Sequence, residues 1–163
     1  MTGVQTCALP ICGKFNLPDV NARIGHAQLL RLPEFLATRR ALAERYFERF
    51  TTDPACVLPP RPRPGDGQTW NMWAVLLPLT RLSIDRRRFR DALEAKGIGT
   101  GVSYEALHLS TLGRSLGGTD GQFPNAERIA RGTVTLPLHA GMTTADVDRV
   151  CSAAAGIIAA ARR

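Results

Sequence analysis

Apolar residues recur at steps of three and four between Pro18 and Phe50, which is the spacing of one face of an α-helix. Pro33 interrupts this pattern. Because proline lacks an amide donor and crowds the preceding turn, we predict two consecutive helices that meet near Leu32. The prolines and glycines of "VLPPRPRPGDGQT", residues 57–69, then predict an extended connector without regular structure.

Downstream of the connector, short apolar runs alternate with helical patterns. The predicted strands are "MWAVLLPL", "IGTGVSY" and "TVTLPL". The predicted helices cover residues 83–95, with Ser83 as the cap, 124–132, and 144–161, where "TTAD" resembles a capping box. This order predicts an α/β fold, an α+β sandwich in which a small three-stranded sheet is covered by helices.

The N-terminal stretch "MTGVQTCALPI" has no Lys or Arg before Lys14, so it lacks the basic start of a secretory signal. It resembles the conceptual translation of a sequencing adapter. We therefore expect residues 1–12 to be a non-native tail and the chain to be a fragment truncated at its N-terminus. A genomic codon for each of residues 1–11 would contradict this hypothesis. The predicted organisation continues with linking helices over 13–56, the connector over 57–69, and a C-terminal small domain over 70–163.

With 44% hydrophobic and 21% charged residues, the chain has the composition of a soluble globular domain. Its apolar stretch "CSAAAGIIAA" is about half as long as a bilayer-spanning helix, so we expect no membrane partner. The net charge is +7, but acidic residues accompany the densest basic cluster, Arg86, Arg87, Arg88 and Arg90. That pattern is typical of a solvated helix face, so we expect no nucleic-acid partner. The separated cysteines favour a reducing cytoplasm.

Candidate catalytic chemistry is sparse in this sequence. It has no phosphate-binding glycine motif, no nucleophile elbow and no cluster with metal-ligand spacing, so no metal is predicted. The three histidines, His26, His108 and His139, are far apart in the chain. Of 21 basic residues only Lys14 and Lys96 are lysines, the residue type that forms a Schiff base with pyridoxal phosphate.

Three stretches nevertheless resemble one family. "GKFNLPDVNARIGHAQLLRL", "AKGIGTGVSYEALHL" and "TLPLHAGMTTADVDRV" are similar to the C-terminal part of the DegT/DnrJ/StrS family of sugar-nucleotide aminotransferases, which are pyridoxal-phosphate enzymes of fold type I. The resemblance covers residues 13–160. It implies that this chain is the C-terminal domain of such a transferase. It also implies that the Schiff-base lysine lies upstream of "KFN" and is missing, so we expect no catalytic residue here and an inactive fragment.

The resemblance also implies binding residues. Asn16 matches a family position that reaches the cofactor phosphate of the neighbouring subunit, although Asn16 and Asp19 could instead cap the following helix. Ser103, Tyr104 and His108 match a segment that approaches the sugar-nucleotide site. Many members carry His at the place of Ser103, so any contact made by that His is lost or replaced. For Tyr104 and His108, the alternative is simple ring packing under a loop.

The activity that the resemblance implies is amino transfer, from glutamate as the expected donor, to a keto-sugar nucleotide. Such a reaction would serve the synthesis of cell-surface polysaccharide or lipid A sugars in the cytoplasm. The full-length protein is expected to hold pyridoxal 5'-phosphate and to form a homodimer. Two alternatives stay open: a pyridoxamine-phosphate-dependent sugar-nucleotide dehydratase of the same family, and a non-catalytic basic interaction module.

Overall fold

The computed structural model describes residues 17–51 and 56–163. They belong to two compact units, one that ends at Glu34 and one that covers Phe35–Arg163. The predicted domain bounds at residues 56 and 69 stay a prediction. In the described ranges, every helix is either too short or too polar to cross a membrane.

The helices and strands follow the predicted order closely. The helices are α1 (Asp19–Leu30), α2 (Leu32–Thr51), α3 (Arg86–Glu94), α4 (Thr111–Ser115), α5 (Pro124–Gly132) and α6 (Thr144–Ala160). The strands are β1 (Trp73–Leu76) and β2 (Thr133–Leu136), and 3₁₀ turns occupy Leu79–Arg81 and Leu107–Leu109. The predicted division of the first helical pattern is confirmed, because Pro33 lies in the first turn of α2, where a missing amide donor is tolerated.

The sheet consists of β1 and β2, which pair antiparallel with Trp73 opposite Leu136. The α/β class is confirmed, but the third predicted strand, over "IGTGVSY", is wrong. Only Gly101 of that segment pairs with the sheet, through two hydrogen bonds of 2.9 Å with the backbone of Thr135. Glycines weaken a strand because they carry no side chain to pack and lose much entropy on ordering, so this glycine-rich segment forms a single bridge.

Aromatic rings from α2 and β1 form the centre of the core. The Tyr46 ring stacks on Trp73 with centroids 4.9 Å apart, and Phe47 meets the same Trp73 ring edge-on at 4.7 Å. Tyr46 Oη also donates a hydrogen bond to the Pro137 carbonyl at 2.7 Å. The pKa of Tyr46 is raised, because burial disfavours the phenolate. The larger unit is therefore organised around one stacked aromatic cluster.

Helix caps fix where α3 and α6 begin. The predicted Ser83 cap is wrong, because Asp85 caps α3 by accepting a hydrogen bond from the Arg88 amide at 2.8 Å. The "TTAD" capping box is confirmed: Thr143 and Asp146 satisfy each other's backbone amides at the start of α6. The hydrogen bonds from Thr143 lower the pKa of Asp146, although burial opposes this shift.

Candidate functional site

The segment between Gly101 and α5 contains three of the residues predicted from the sequence. Ser103, Tyr104 and His108 all line one cavity of about 590 Å³, together with Phe123 and the apolar side of α5. His108 also lines a neighbouring cavity of about 420 Å³. The structure thus brings together three side chains that the family resemblance places near a sugar nucleotide.

The three side chains differ in how firmly they are held. Ser103 Oγ lies 2.8 Å from Thr135 Oγ1, so its hydroxyl is tied to β2. Tyr104 is 73% exposed, which does not fit ring packing under a loop. His108 is partly packed, because its ring meets Phe123 edge-on with centroids 4.9 Å apart. Tyr104 is therefore open to a ligand, whereas Ser103 and His108 are already engaged within the chain.

Glu127, on α5, organises this segment and was not identified from the sequence. Its side chain is 5% exposed, and Nε2 of His108 lies 3.1 Å from Oε1. The same oxygen accepts a hydrogen bond from the Gly121 amide at 2.7 Å, and Oε2 accepts one from Arg131 Nη2 at 2.6 Å. The hydrogen bond from His108 is the main cause that lowers the pKa of Glu127, against burial, which raises it.

Two glycines bring the surrounding loop into contact with the His108 backbone. A Cβ atom at Gly118 would lie 2.1 Å from the His108 carbonyl oxygen, and one at Gly113 would lie 2.1 Å from the Leu107 carbonyl oxygen. Only hydrogen fits at either position. The loop therefore wraps closely around the turn that carries His108.

The outer surface of this segment is unusually apolar. Leu107 is 82% exposed and Leu116 is 78% exposed. The other exposed large apolar residues here are Tyr104, Leu112, Phe123 and Ile129. Exposed apolar patches often mark sites where another surface or a ligand binds.

Pyridoxal phosphate is anchored by a lysine amine in its enzymes, so the placement of lysine tests whether this domain fits the cofactor. Residues 17–51 and 56–163 contain one lysine, Lys96, which is exposed just beyond the end of α3. Neither cavity at the candidate site has Lys96 in its lining. At these two cavities the described residues therefore offer no lysine amine to anchor the cofactor. Asn16, predicted to bind its phosphate, and Lys14 lie outside the described residues.

The basic cluster on α3 is partly used inside the domain. Arg86 Nη1 donates to the Ala130 carbonyl, and Arg90 donates to Thr100 Oγ1 at 3.1 Å and to the Thr100 carbonyl at 3.3 Å. Two of the four arginines thus hydrogen-bond to segments that border the candidate site, one to α5 and one to Thr100, which precedes Gly101. Within residues 17–51 and 56–163, no group of three or more His, Cys, Asp or Glu is arranged to hold a metal ion.

A small antiparallel sheet covered by helices, next to a loop-built cavity, defines a domain of the fold type I aminotransferase class. The chain belongs to the DegT/DnrJ/EryC1/StrS aminotransferase family, whose model matches residues 4–155. The match begins inside the stretch predicted to be non-native, and the adapter hypothesis stays a prediction.

Solved structures with this fold include enzymes of two reaction types. The aminotransferase TlmJ from Streptoalloteichus hindustanus is 34% identical with a TM-score of 0.75, covering 87% of this chain and 36% of that one. The GDP-4-keto-6-deoxy-D-mannose-3-dehydratase of E. coli, solved with bound hydrated pyridoxal phosphate, is 20% identical with a TM-score of 0.69, covering 86% and 38%. At that identity the dehydratase shows the fold alone.

An uncharacterized protein of Methanocaldococcus jannaschii, MJ1066, is 32% identical over 149 residues, which are 90% of this chain and 38% of that protein. The chain thus spans little more than a third of the length of the relatives it matches.

Proposed function

We propose that this chain is the C-terminal part of a longer pyridoxal-phosphate-dependent aminotransferase that transfers an amino group, from glutamate, to a keto-sugar nucleotide. In this proposal Ser103, Tyr104 and His108 close the sugar-nucleotide site. The chain alone is inactive, because the lysine that holds the cofactor belongs to the rest of the parent protein. The segments "KFNLPDVNA", "KGIGTGVSY" and "MTTADVDRV" resemble those of UDP-4-amino-4-deoxy-L-arabinose aminotransferases, which favours a role in lipid A or cell-surface polysaccharide synthesis.

The observation that carries the proposal is the cavity of about 590 Å³ lined by Ser103, Tyr104 and His108. A sugar nucleotide presents hydroxyl groups that need hydrogen-bond partners and ring faces that pack on aromatic side chains. Tyr104 and His108 offer both kinds of contact at one site. Its volume falls within the range usual for small-molecule sites.

Membership of this aminotransferase family supports pyridoxal phosphate as the cofactor of the parent protein. Since no described lysine lines the candidate site, we propose that the parent's remaining part supplies the lysine that binds the cofactor. Asn16 is then the residue of this chain that would reach the cofactor phosphate, in the neighbouring subunit. An amide donor suits a phosphate oxygen.

A homodimer of the parent protein would also use α1. All residues of α1 are exposed, including Val20 at 70%, Ile24 at 57% and Leu30 at 70%. Exposed apolar residues of this kind are stabilised when another surface covers them. We expect the complete protein to sediment as a dimer, and the double substitution Val20→Glu with Ile24→Glu to shift it toward monomer.

The decisive experiment uses the protein encoded by the complete gene and compares His108→Ala with His139→Ala. His139 is exposed and lies outside the lining of either site cavity. We expect His108→Ala to raise the KM for the keto-sugar nucleotide about tenfold, the effect of losing one good hydrogen bond, without changing the KM for glutamate. His139→Ala should leave both values unchanged. Absence of amino transfer to any keto-sugar nucleotide, or transaminase turnover by the 163-residue chain supplied with cofactor, would contradict the proposal.

The second candidate is a sugar-nucleotide dehydratase, a reaction type that also occurs on this fold, as in the E. coli dehydratase. The two reactions differ in their products, because the aminotransferase adds nitrogen to the sugar and the dehydratase removes a hydroxyl group without adding nitrogen. Incubation with ¹⁵N-glutamate and mass analysis of the sugar nucleotide therefore separates them. The genomic codons upstream of Gly13 provide an independent check, since a lysine at the family position indicates the aminotransferase.

A further inference from the structure

The structure contains a buried carboxylate that is hydrogen-bonded to His108 of the candidate site. Glu127 is 4% exposed, and Thr133 is the other buried polar residue of the described chain. A buried carboxylate is retained only when donors satisfy it. Its donors here are His108, Gly121 and Arg131. We refer to these four residues as the Glu127 cluster.

The Glu127 cluster joins segments that are separated in sequence. His108 belongs to the 3₁₀ turn Leu107–Leu109, and Gly121 belongs to the loop that precedes α5. Arg131 lies one helical turn after Glu127, with its side chain 67% exposed, so it neutralises the carboxylate from the solvent side. The two other donors define the shape of the loop and the position of the imidazole.

The cluster also determines which nitrogen of His108 carries a proton. An ionised carboxylate only accepts hydrogen bonds, so the contact between Oε1 and Nε2 requires a hydrogen on Nε2. In a neutral imidazole the other nitrogen, Nδ1, is then an acceptor. Because His108 lines both site cavities, Nδ1 is the ring nitrogen left for a ligand.

We propose that Glu127 is a positioning residue of the substrate site: it fixes His108 as the Nε2–H tautomer and holds the Gly121 loop, so that Nδ1 accepts a hydrogen bond from a sugar hydroxyl. This inference rests on the proposed function for the identity of the ligand. The placement of His108 by Glu127 does not depend on the ligand, so the two can be tested separately.

The first test is nuclear magnetic resonance of the 163-residue chain and its Glu127→Gln variant. Glutamine keeps the size of the side chain, but it removes the charge and replaces one acceptor oxygen by a donor group. In the parent chain we expect the imidazole ¹⁵N shifts of His108 to report the Nε2–H tautomer at a pH where the ring is neutral. In the variant we expect a mixture of tautomers and at least tenfold faster hydrogen exchange of the Gly121 amide.

The matched control is Glu94→Gln, which removes one negative charge from an exposed position on α3. It should leave both signals unchanged. Glu127→Asp keeps the charge on a shorter side chain and should restore the tautomer in part. Unchanged His108 shifts and Gly121 exchange in folded Glu127→Gln would overturn the inference.

The second test is kinetic and uses the protein encoded by the complete gene. If Glu127 acts through His108, Glu127→Gln raises the KM for the keto-sugar nucleotide and leaves the KM for glutamate unchanged. Altered resonance signals together with no turnover of any sugar nucleotide would leave the positioning role in place and overturn the proposed function. Equal changes in both KM values would overturn the role of Glu127 in sugar binding.

Discussion

The close approach between Gly118 and His108 leads to a quantitative prediction. In Gly118→Ala the new Cβ would lie 2.1 Å from the His108 carbonyl oxygen and 2.9 Å from that of Gly113. Both neighbours are backbone atoms, so no side-chain rotation relieves the contact. The loop and the turn must separate by at least about 1.3 Å to reach an ordinary van der Waals distance. We expect a loss of roughly 1–3 kcal/mol in the free energy of unfolding, the usual cost of overpacking.

Gly156→Ala is the matched control for this substitution. Gly156 is exposed within α6, about one turn before the helix ends at Ala160, and a Cβ atom there meets no heavy atom within 4 Å. Because alanine is the better helix former, this control should stabilise the protein by roughly 0.5–1 kcal/mol. The same chemical change is thus expected to act with opposite sign at the two positions.

Thermal unfolding and amide exchange measure the two effects. For a chain of this size, Gly118→Ala should lower Tm by roughly 3–10 °C if the loop and the core unfold together. If the loop opens locally instead, Tm changes little but the amides of residues 116–122 exchange faster. A variant with the wild-type Tm and wild-type exchange in this loop would refute the reasoning.

Three further predictions concern the core and the link between α2 and α6. Tyr46→Phe removes the donor to the Pro137 carbonyl and should lower the free energy of unfolding in urea by roughly 1–2 kcal/mol. Leu93→Ala empties a site that is 0% exposed and should lower the same quantity by roughly 2–5 kcal/mol. Arg45 donates two hydrogen bonds of 2.8 Å to Asp148 and lowers its pKa from the ordinary value of 3.8, against burial. A carboxylate with a lowered pKa stabilises the fold fully above its unfolded pKa and loses this effect as pH falls through the folded value. The Tm difference between wild type and Asp148→Asn should therefore be constant above about pH 5 and decrease as pH falls below the ordinary carboxyl pKa.

Local sequence signals predicted the elements well where the determining contacts are also local. The capping box of α6 depends on Thr143 and Asp146, which are three residues apart, and it was predicted from "TTAD". Pro33 likewise marks the division between α1 and α2 from its own chemistry. The prediction of a strand over "IGTGVSY" was wrong because its pairing depends on β2, more than thirty residues further along the chain. Only Gly101 of this segment pairs with β2, through Thr135.

The residues of the candidate site likewise fall into those that a local motif identified and those that depend on a distant contact. His108 was identified because its segment resembles a family motif, but its partner Glu127 was missed. In the sequence, Glu127 and Arg131 look like an ordinary surface pair at helical spacing. The contact that buries Glu127 comes from His108, nineteen residues earlier, and no local pattern reports it.

Helix α1 shows that hydrophobic periodicity can predict a helix without predicting what the helix packs against. Its pattern predicted a helix correctly, yet all of its residues are exposed. Periodicity establishes that an apolar face is stabilised by burial, but it does not identify the surface that buries it. Short helices gain most of their stability from packing, so α1 requires such a surface to persist in solution. The family relatives are more than twice as long as this chain, and the proposed dimer of the parent protein would supply that surface.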